Sequence, residues 1–300
     1  MCDTRASVDV AYLTFNGFDP ELKTAVGAIE DLGLSVAAVP WNAPDVDWGQ
    51  YRATIVRSTW DYTARHAEFL AAVRRIGNSA RLANPAHVIT WNSRKHYLRH
   101  LAERGCAVIP TVWTTPRKEL TADTLPAEWT EVVVKPTIGI GGQHVLRTTD
   151  LDAACRYARS GQAMMVQPYL AHVEHGGEIS LVYIGGVFSH AVRKQGYLAP
   201  DVLRDGILAP EPGSDWSARP CRPDPDHFSA AQHALDTVPG AGDLLHARID
   251  MIRDQAGEPR IVEVELIEPF LYLQYDDKAA ERLAHAVNSL LTRPTTDRPL

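Results

Sequence analysis

The chain opens on an apolar run at 8–15, VDVAYLTF, that predicts a β-strand. Asp19-Pro20 then offers an N-cap and a proline for a first helical turn. Leu22, Val26, Ile29 and Leu32 recur on one helical stripe until Gly33 stops it. Short apolar runs at 35–39 and 53–56 predict two more strands, and 64–76 a second helix closed near Gly77-Asn78. Strands alternating with helices predict a small parallel α/β domain over residues 1–85.

Asn84-Pro85 starts a second unit, predicted over 86–170. Residues 85–104 read as a helix pair broken at Trp91-Asn92-Ser93, with Ser93 capping a second helix that carries Lys95. After a run at 107–112 and a Thr/Pro-rich loop, the strand at 131–135 ends at Pro136. The glycine-rich stretch Ile138-Gly139-Ile140-Gly141-Gly142-Gln143 leads to a short strand at 144–147. A helix from Asp150 to about 160 and a strand at 164–169 complete the unit. The third unit, 171–300, begins with a hairpin, 178–184 and 187–194, around Gly185-Gly186. Residues 195–225, rich in Pro, Asp and Gly, read as a long loop or lid. A helix at 227–238, a hairpin of 248–252 with 260–266, and a last helix at 277–291 follow.

The last hairpin changes the picture. Centred on Ala256-Gly257, it sets Asp250 opposite Glu263 and Arg248 opposite Glu265. Side chains alternate along a strand, so these four charges share one face, with Ile249, Met251, Val262 and Val264 on the other. Three carboxylates packed together repel unless a cation sits among them, and hard oxygen ligands suit Mg²⁺. A solvated face with a surface ion pair at Arg248 is the alternative.

Composition then narrows the class. A hydrophobic fraction of 45% and a charged fraction of 22% are ordinary for a soluble globular protein. The net charge of −7 leaves no basic stripe for nucleic acid. No signal segment and no membrane-length apolar run is visible, so a cytoplasmic protein is expected. Cys2, Cys106, Cys155 and Cys221 form no CxxC and read as reduced thiols. Only six of the 30 basic residues are lysines: Lys23, Lys95, Lys118, Lys135, Lys194 and Lys278. Lysine suits a compact point charge on phosphate. Lys135 ends an apolar strand just before the glycine-rich loop, whose backbone N–H groups can cradle an anion. A lysine snorkelling from a sheet edge is the other reading.

In order along the chain, Lys95, Lys135, the glycine-rich loop, Gln167-Pro168-Tyr169-Leu170, Glu178, Asp250, Glu263 and Glu265 resemble the ATP-grasp ligases. The resemblance implies an ATP-grasp fold: two α+β subdomains clasping ATP behind a small parallel α/β pre-ATP-grasp domain. It implies Lys95 and Lys135 on the phosphates, and the backbone of Gly139, Ile140, Gly141 and Gly142 closing over them. Gln167, Tyr169 and Leu170 would hold adenine, and Glu178 the ribose. Asp250, Glu263 and Glu265 would hold two Mg²⁺, and Arg248, with Arg193 or Lys194, would neutralise the transferring phosphoryl group. Many relatives have Asn where this chain has Glu265.

Arg57-Ser58-Thr59-Trp60-Asp61-Tyr62 lies past the C-terminal end of a parallel strand, where open α/β sheets bind ligands. Arg57 could take a substrate carboxylate bidentately, while Ser58, Trp60 and Asp61 shape a pocket or read an ammonium group. Trp60 and Tyr62 packing a domain interface is the alternative. Glu268-Pro269-Phe270 forms another candidate wall. Together with Trp91-Asn92-Ser93-Arg94-Lys95 and EVELIEPFL at 263–271, this stretch resembles a narrower branch, the cyclo-ligases of D-cycloserine biosynthesis. That resemblance implies ATP-dependent cyclisation of a small amino-acid-like substrate, O-ureido-D-serine, with release of ADP, phosphate, CO₂ and ammonia. An intermolecular amino-acid or peptide ligase is the rival enzyme, and a silent nucleotide-binding protein the rival of another class. Oligomeric state stays open, a homo-oligomer included.

Overall fold

The computed structural model describes residues 8–114, 120–159, 161–195, 198, 200–201, 203 and 217–292. Near the N-terminus β1 (Val10–Thr14), β2 (Val36–Pro40), β3 (Ala53–Ser58) and β4 (Leu82–Ala83) form a parallel sheet in the order β2-β1-β3-β4. Helices α1 (Leu22–Glu30) and α2 (His66–Ser79) pack on its two faces. Strands covered on both faces read as continuous apolar runs, which is why β1 and β3 are buried throughout. Asp19 does not cap α1 from the N-cap position. Its carboxylate instead accepts from Glu21 N at 2.8 Å and from Tyr12 Oη at 2.9 Å.

The predicted helix pair becomes α3 (Ala86–Asn92) and α4 (Tyr97–Glu103), and Lys95 lies in the turn between them, not on a helix. Ser93 does not cap α4 but ends α3 as its C-cap residue, and its hydroxyl donates back to Thr90 O at 2.9 Å. The next sheet holds β5 (Val112–Trp113), β6 (Val132–Pro136), β7 (Leu146–Thr148) and β8 (Met164–Pro168), antiparallel in the order β5-β8-β6-β7. Helix α5 (Leu151–Ala158) covers one face, with Asp150 capping it through Ala153 N at 2.8 Å. Strand β7 starts later than predicted because Gly141, Gly142 and His144 all have positive φ, of 58°, 73° and 56°, which prolongs the turn.

After the short helix α6 (Val173–Gly176) come β9 (Glu178–Ile184), β10 (Val187–Gln195), β11 (Ser217–Pro220), α7 (Pro225–Thr237), β12 (His246–Arg253), β13 (Pro259–Glu265) and α8 (Ala279–Thr292). The strands form one antiparallel sheet, β11-β10-β9-β12-β13. Strand β11 falls inside the predicted 195–225 loop, whose residues 204–216 lie outside the described residues, and the lid expectation with them. At its start, Arg147 donates to Leu198 O at 3.0 Å and Asp201 N to Arg147 O at 2.7 Å.

One face of this sheet, with Ile179, Leu181, Ile249, Met251 and Val264, packs on α7. On the other, Val182, Ile184 and Val192 pack against α8 and α1, so the first and last units share a core. Past those residues the same face turns from apolar to charged. The hairpin register is as expected at Asp250–Glu263 and Arg248–Glu265, but shifts just beyond. One residue of β13 bulges there, so Ile261, fully buried, takes the apolar place expected of Val262.

The outer edge of β13 is closed by the backbone of Ala107 and Ile109 at Ile261, and by side chains beyond it. Asn92 Nδ2 donates to Val264 O at 2.7 Å, Asn92 Oδ1 accepts from Leu266 N at 2.9 Å, and Tyr97 Oη accepts from Val264 N at 3.0 Å. These bonds stand on either side of the Lys95 turn and hold it against the carboxylate strand. Asn92→Ala orphans two buried backbone groups. We expect a loss of about 2–3 kcal/mol in urea unfolding, together with a raised KM for ATP.

Candidate active site

Alternation brings Glu178 and Ser180 of β9, Lys194 of β10, Arg248 and Asp250 of β12, and Glu263 and Glu265 of β13 to one face. Register lines them up: Lys194 opposite Glu178, Ser180 opposite Asp250, Asp250 opposite Glu263. Asp250, buried, accepts from Ser180 Oγ at 2.6 Å, Lys194 Nζ at 3.0 Å and Arg248 Nη2 at 2.8 Å. Arg248 Nη2 also reaches Glu265 Oε1 at 2.5 Å, Lys194 pairs with Glu178, and Lys95 pairs with Glu263. Asp250, Glu263 and Glu265 each present an oxygen within 4.8 Å of the others.

Electrostatics sort these acids. Burial opposes ionisation of Asp250, but Arg248 and Lys194 outweigh it and hold the carboxyl far below the usual range. Glu263, half-buried, is held down to about 2 by Lys95 and Lys135 against the desolvation that opposes ionisation. Glu265 goes the other way: burial, with Asp250 and Glu263 beside it, pushes it well up. Three acids at this spacing do not all ionise without further positive charge. A divalent cation supplies it, and an all-oxygen donor set suits Mg²⁺.

Facing this cluster, Lys135 shares its side of β6 with Val133, which pairs with Gln167. Burial and nearby Lys95 lower its pKa against the pull of Glu263, Glu178 and Asp250, and it joins no ion pair among the described residues. It is a buried cation suited to an anionic ligand. Lys95 N donates to Thr137 O at 2.8 Å, tying the Lys95 turn to the start of the glycine-rich loop. Gly139 and Ile140 line one narrow cavity with Lys95, Glu263, Glu265 and Glu268. A larger cavity of about 300 Å³ lies elsewhere, between the β9–β10 turn and α8, and none of these residues lines it.

At the proposed nucleotide end the side chains are already engaged. Gln167 Nε2 donates to Thr111 Oγ1 at 2.9 Å, and the Tyr169 ring lies 3.5 Å below the Arg147 guanidinium. Tyr169 Oη donates to Glu174 at 2.9 Å and Tyr169 N to Glu131 O at 2.9 Å, while Leu170 O accepts from Val173 N at 3.0 Å. What this segment can offer a base edge is backbone.

Other predicted residues are placed differently. Arg193 projects from the face of β10 opposite Lys194, where its charge acts on Cys221 and His227. Asp61 accepts from Trp41 Nε1 at 2.7 Å, and Ser58 Oγ is buried with no hydrogen-bond partner among the described residues. Arg57 and Trp60 help to grip the irregular stretch after β13. Five consecutive carbonyls there each receive a side-chain donor: Ile267 O from His246 Nε2, Glu268 O from Trp60 Nε1, Pro269 O from Arg57 Nη2, Phe270 O from Arg248 Nη1 and Leu271 O from His190 Nε2, at 2.9–3.2 Å. Glu21, buried, accepts from Leu271 N and Leu273 N at 2.9 Å and from Arg57 Nη2 at 3.1 Å. Glu21, His190, His246 and Ser180 were not anticipated. Only Ser180 had a signal, its place two residues after Glu178 on the same face.

Two antiparallel α+β units meeting over lysines, a glycine-rich loop and a carboxylate hairpin, behind a parallel α/β domain, make up the ATP-grasp fold. Residues 9–84 match the N-terminal domain model of D-cycloserine synthetase DcsG. The cycloserine biosynthesis protein DcsG of Streptomyces lavendulae is 32% identical over 282 residues, 90% of this chain and 93% of that protein. The chain belongs to the D-cycloserine synthetase DcsG family. A crystal structure of D-cycloserine synthetase DcsG superposes with a TM-score of 0.84 at 31% identity, covering 94% of this chain and 99% of that one. The ATP-grasp ligase PsnB, complexed with minimal precursor, Mg and ADP, gives 0.64 at 14% identity, covering 95% and 98%. D-alanine–D-alanine ligase from Bacillus anthracis, complexed with ATP, gives 0.62 at 14%, covering 95% and 97%. These last two share the fold. No helix among the described residues is long and apolar enough to cross a membrane.

Proposed function

We propose that this ligase converts O-ureido-D-serine to D-cycloserine, using ATP and two Mg²⁺, through an acylphosphate closed by the substrate's own nitrogen. The observation that carries this is the convergence of Asp250, Glu263 and Glu265 with Lys194 and Arg248 on one sheet face, with Lys95 paired to Glu263 from its turn and Lys135 opposite. Kinship with DcsG supports the particular substrate.

A carboxylate is a poor acyl donor because its oxygen leaves badly. Phosphorylation turns that oxygen into a phosphate that leaves readily, and a nearby nitrogen then closes the amide bond. Hydrolysis of the carbamoyl remainder releases CO₂ and ammonia. Lys95 and Lys135 hold the ATP phosphates, the backbone at 139–142 covers them, and the segment 167–170 and Glu178 take adenine and ribose. Lys194 and Arg248 face the charge that gathers on the transferring phosphoryl group. Mg²⁺, when bound by Asp250, Glu263 and Glu265, neutralises part of that charge. Burial keeps water from the acylphosphate.

The test is ADP release with Mg²⁺, ATP and O-ureido-D-serine as the sole further substrate, with mass spectrometry of the product. ADP together with cycloserine is expected. ADP released only when an amino acid and a separate amine are both supplied would overturn the cyclisation and leave an intermolecular ligase.

A further inference from the structure

The acids of the site divide by their partners. Asp250 is held by Arg248 and Lys194, Glu178 by Lys194, Glu263 by Lys95 and Glu265 by Arg248. Glu268 lines the same cavity, is 8% exposed, and joins no ion pair among the described residues. Its own backbone N–H donates to the carboxyl. Burial pushes that carboxyl up to about 8, against Lys95 and Arg248, as expected of an acid short of a counter-ion.

Its position is not an accident of a loose loop. The carbonyls of residues 267–271 are gripped by five side chains from three parts of the fold, so the Glu268 backbone is fixed. A buried carboxylate without a cation is unfavourable, and a fold that rigidly presents one is built for a cation that arrives. The proposed substrate carries one. In an α-amino acid the ammonium and the carboxylate branch from the same carbon. A carboxylate reacting at the Asp250–Glu263–Glu265 cluster therefore puts its ammonium within a few ångströms. Glu268, three residues past Glu265, lines the same cavity as Glu263 and Glu265.

We propose that Glu268 binds the α-ammonium of the substrate, so that the site selects α-amino acids over their desamino counterparts. This rests on the amino-acid substrate proposed above. Lys95, Arg248 and the metal-facing acids then serve ATP and the reacting carboxylate, and Glu268 reads the other end of the α-carbon.

The experiment compares the wild-type chain with Glu268→Gln, nearly the same in shape, on O-ureido-D-serine and on 3-(ureidooxy)propanoate, which lacks the amino group. ADP release is the readout. The wild type should prefer the amino substrate by about 100-fold in kcat/KM, the scale of one buried charge-assisted contact. In Glu268→Gln the KM for O-ureido-D-serine should rise by a similar factor. The KM for ATP should hold, and the preference for the amino substrate should collapse. The unfolding midpoint should not fall, since a buried acid without a cation has been removed. A preference that survives in Glu268→Gln overturns the proposal. So does an unchanged KM with a lost kcat, which would make Glu268 a proton acceptor for the attacking nitrogen. If the wild type releases no ADP from O-ureido-D-serine, the substrate reading has failed and calorimetry decides the anchor separately. D-serine binding to the Mg²⁺–AMPPNP-loaded wild type but not to Glu268→Gln supports it; equal binding, or none to either, overturns it.

Discussion

Glu263→Ala is expected to lower ATP turnover by about 10³-fold or more while the chain still folds. A carboxylate that holds the metal contributes several kcal/mol to the charge gathered during phosphoryl transfer, and each 1.36 kcal/mol is about tenfold in rate. Glu263 lines the cavity, and the apolar contacts of its strand are made by Ile261 and Val264 on the other face. Truncation therefore opens no hole in the core. It does strip Lys95 of its partner. Glu265 and Glu268 also act on Lys95 and limit that cost to about 1–2 kcal/mol. ADP release and thermal unfolding, measured together, separate the two effects. ADP binding without Mg²⁺ should persist within a few-fold, because Lys135 and the glycine-rich loop remain. Normal turnover in this variant would remove Glu263 from the metal site.

The carboxylate face was legible because alternation is a local rule. Once the turn is placed at Ala256-Gly257, the faces of Asp250, Glu263 and Glu265 follow. The bulge that put Ile261 where Val262 was expected was not legible, since nothing in the residues marks it. Arg193 and Lys194 could not be told apart beforehand. Their phase depends on which residues of β9 they face, and only the register settles that Lys194 meets Glu178. Lys95 was expected on a helix because its neighbours suit one. The pull of Asn92 and Tyr97 toward the edge of β13 leaves a turn there instead. Least legible was the grip on residues 267–273. Four of its donors and acceptors, Glu21, Arg57, Trp60 and His190, lie from about 80 to 250 residues away in sequence, and no local pattern announces such contacts. Arg57 was read as a clamp for a carboxylate. The carboxylate it clamps in the structure is that of Glu21.

Arg57→Ala should therefore act first on stability. Both partners of the Arg57–Glu21 pair are about 97% buried. Removing one leaves the other's charge uncompensated, at a cost of about 3–5 kcal/mol. For a chain of this length that is a fall of about 5–8 °C in the unfolding midpoint. Burial already pushes the Glu21 carboxyl up, against Arg57 and the two amides that donate to it. Without Arg57 it rises further and takes a proton, weakening its hold on Leu271 N and Leu273 N. The stretch that carries Glu268 then loosens, and the substrate KM should rise while ADP binding holds. Arg57→Lys should rescue little. A single ammonium lacks the planar fork whose nitrogen serves Glu21 and Pro269 O together. Glu21→Ala should match Arg57→Ala, and the double variant should cost less than the sum, because no lone buried charge remains. A substrate clamp would behave otherwise. It would leave the midpoint of Arg57→Ala unchanged, raise only the substrate KM, and show no coupling to Glu21.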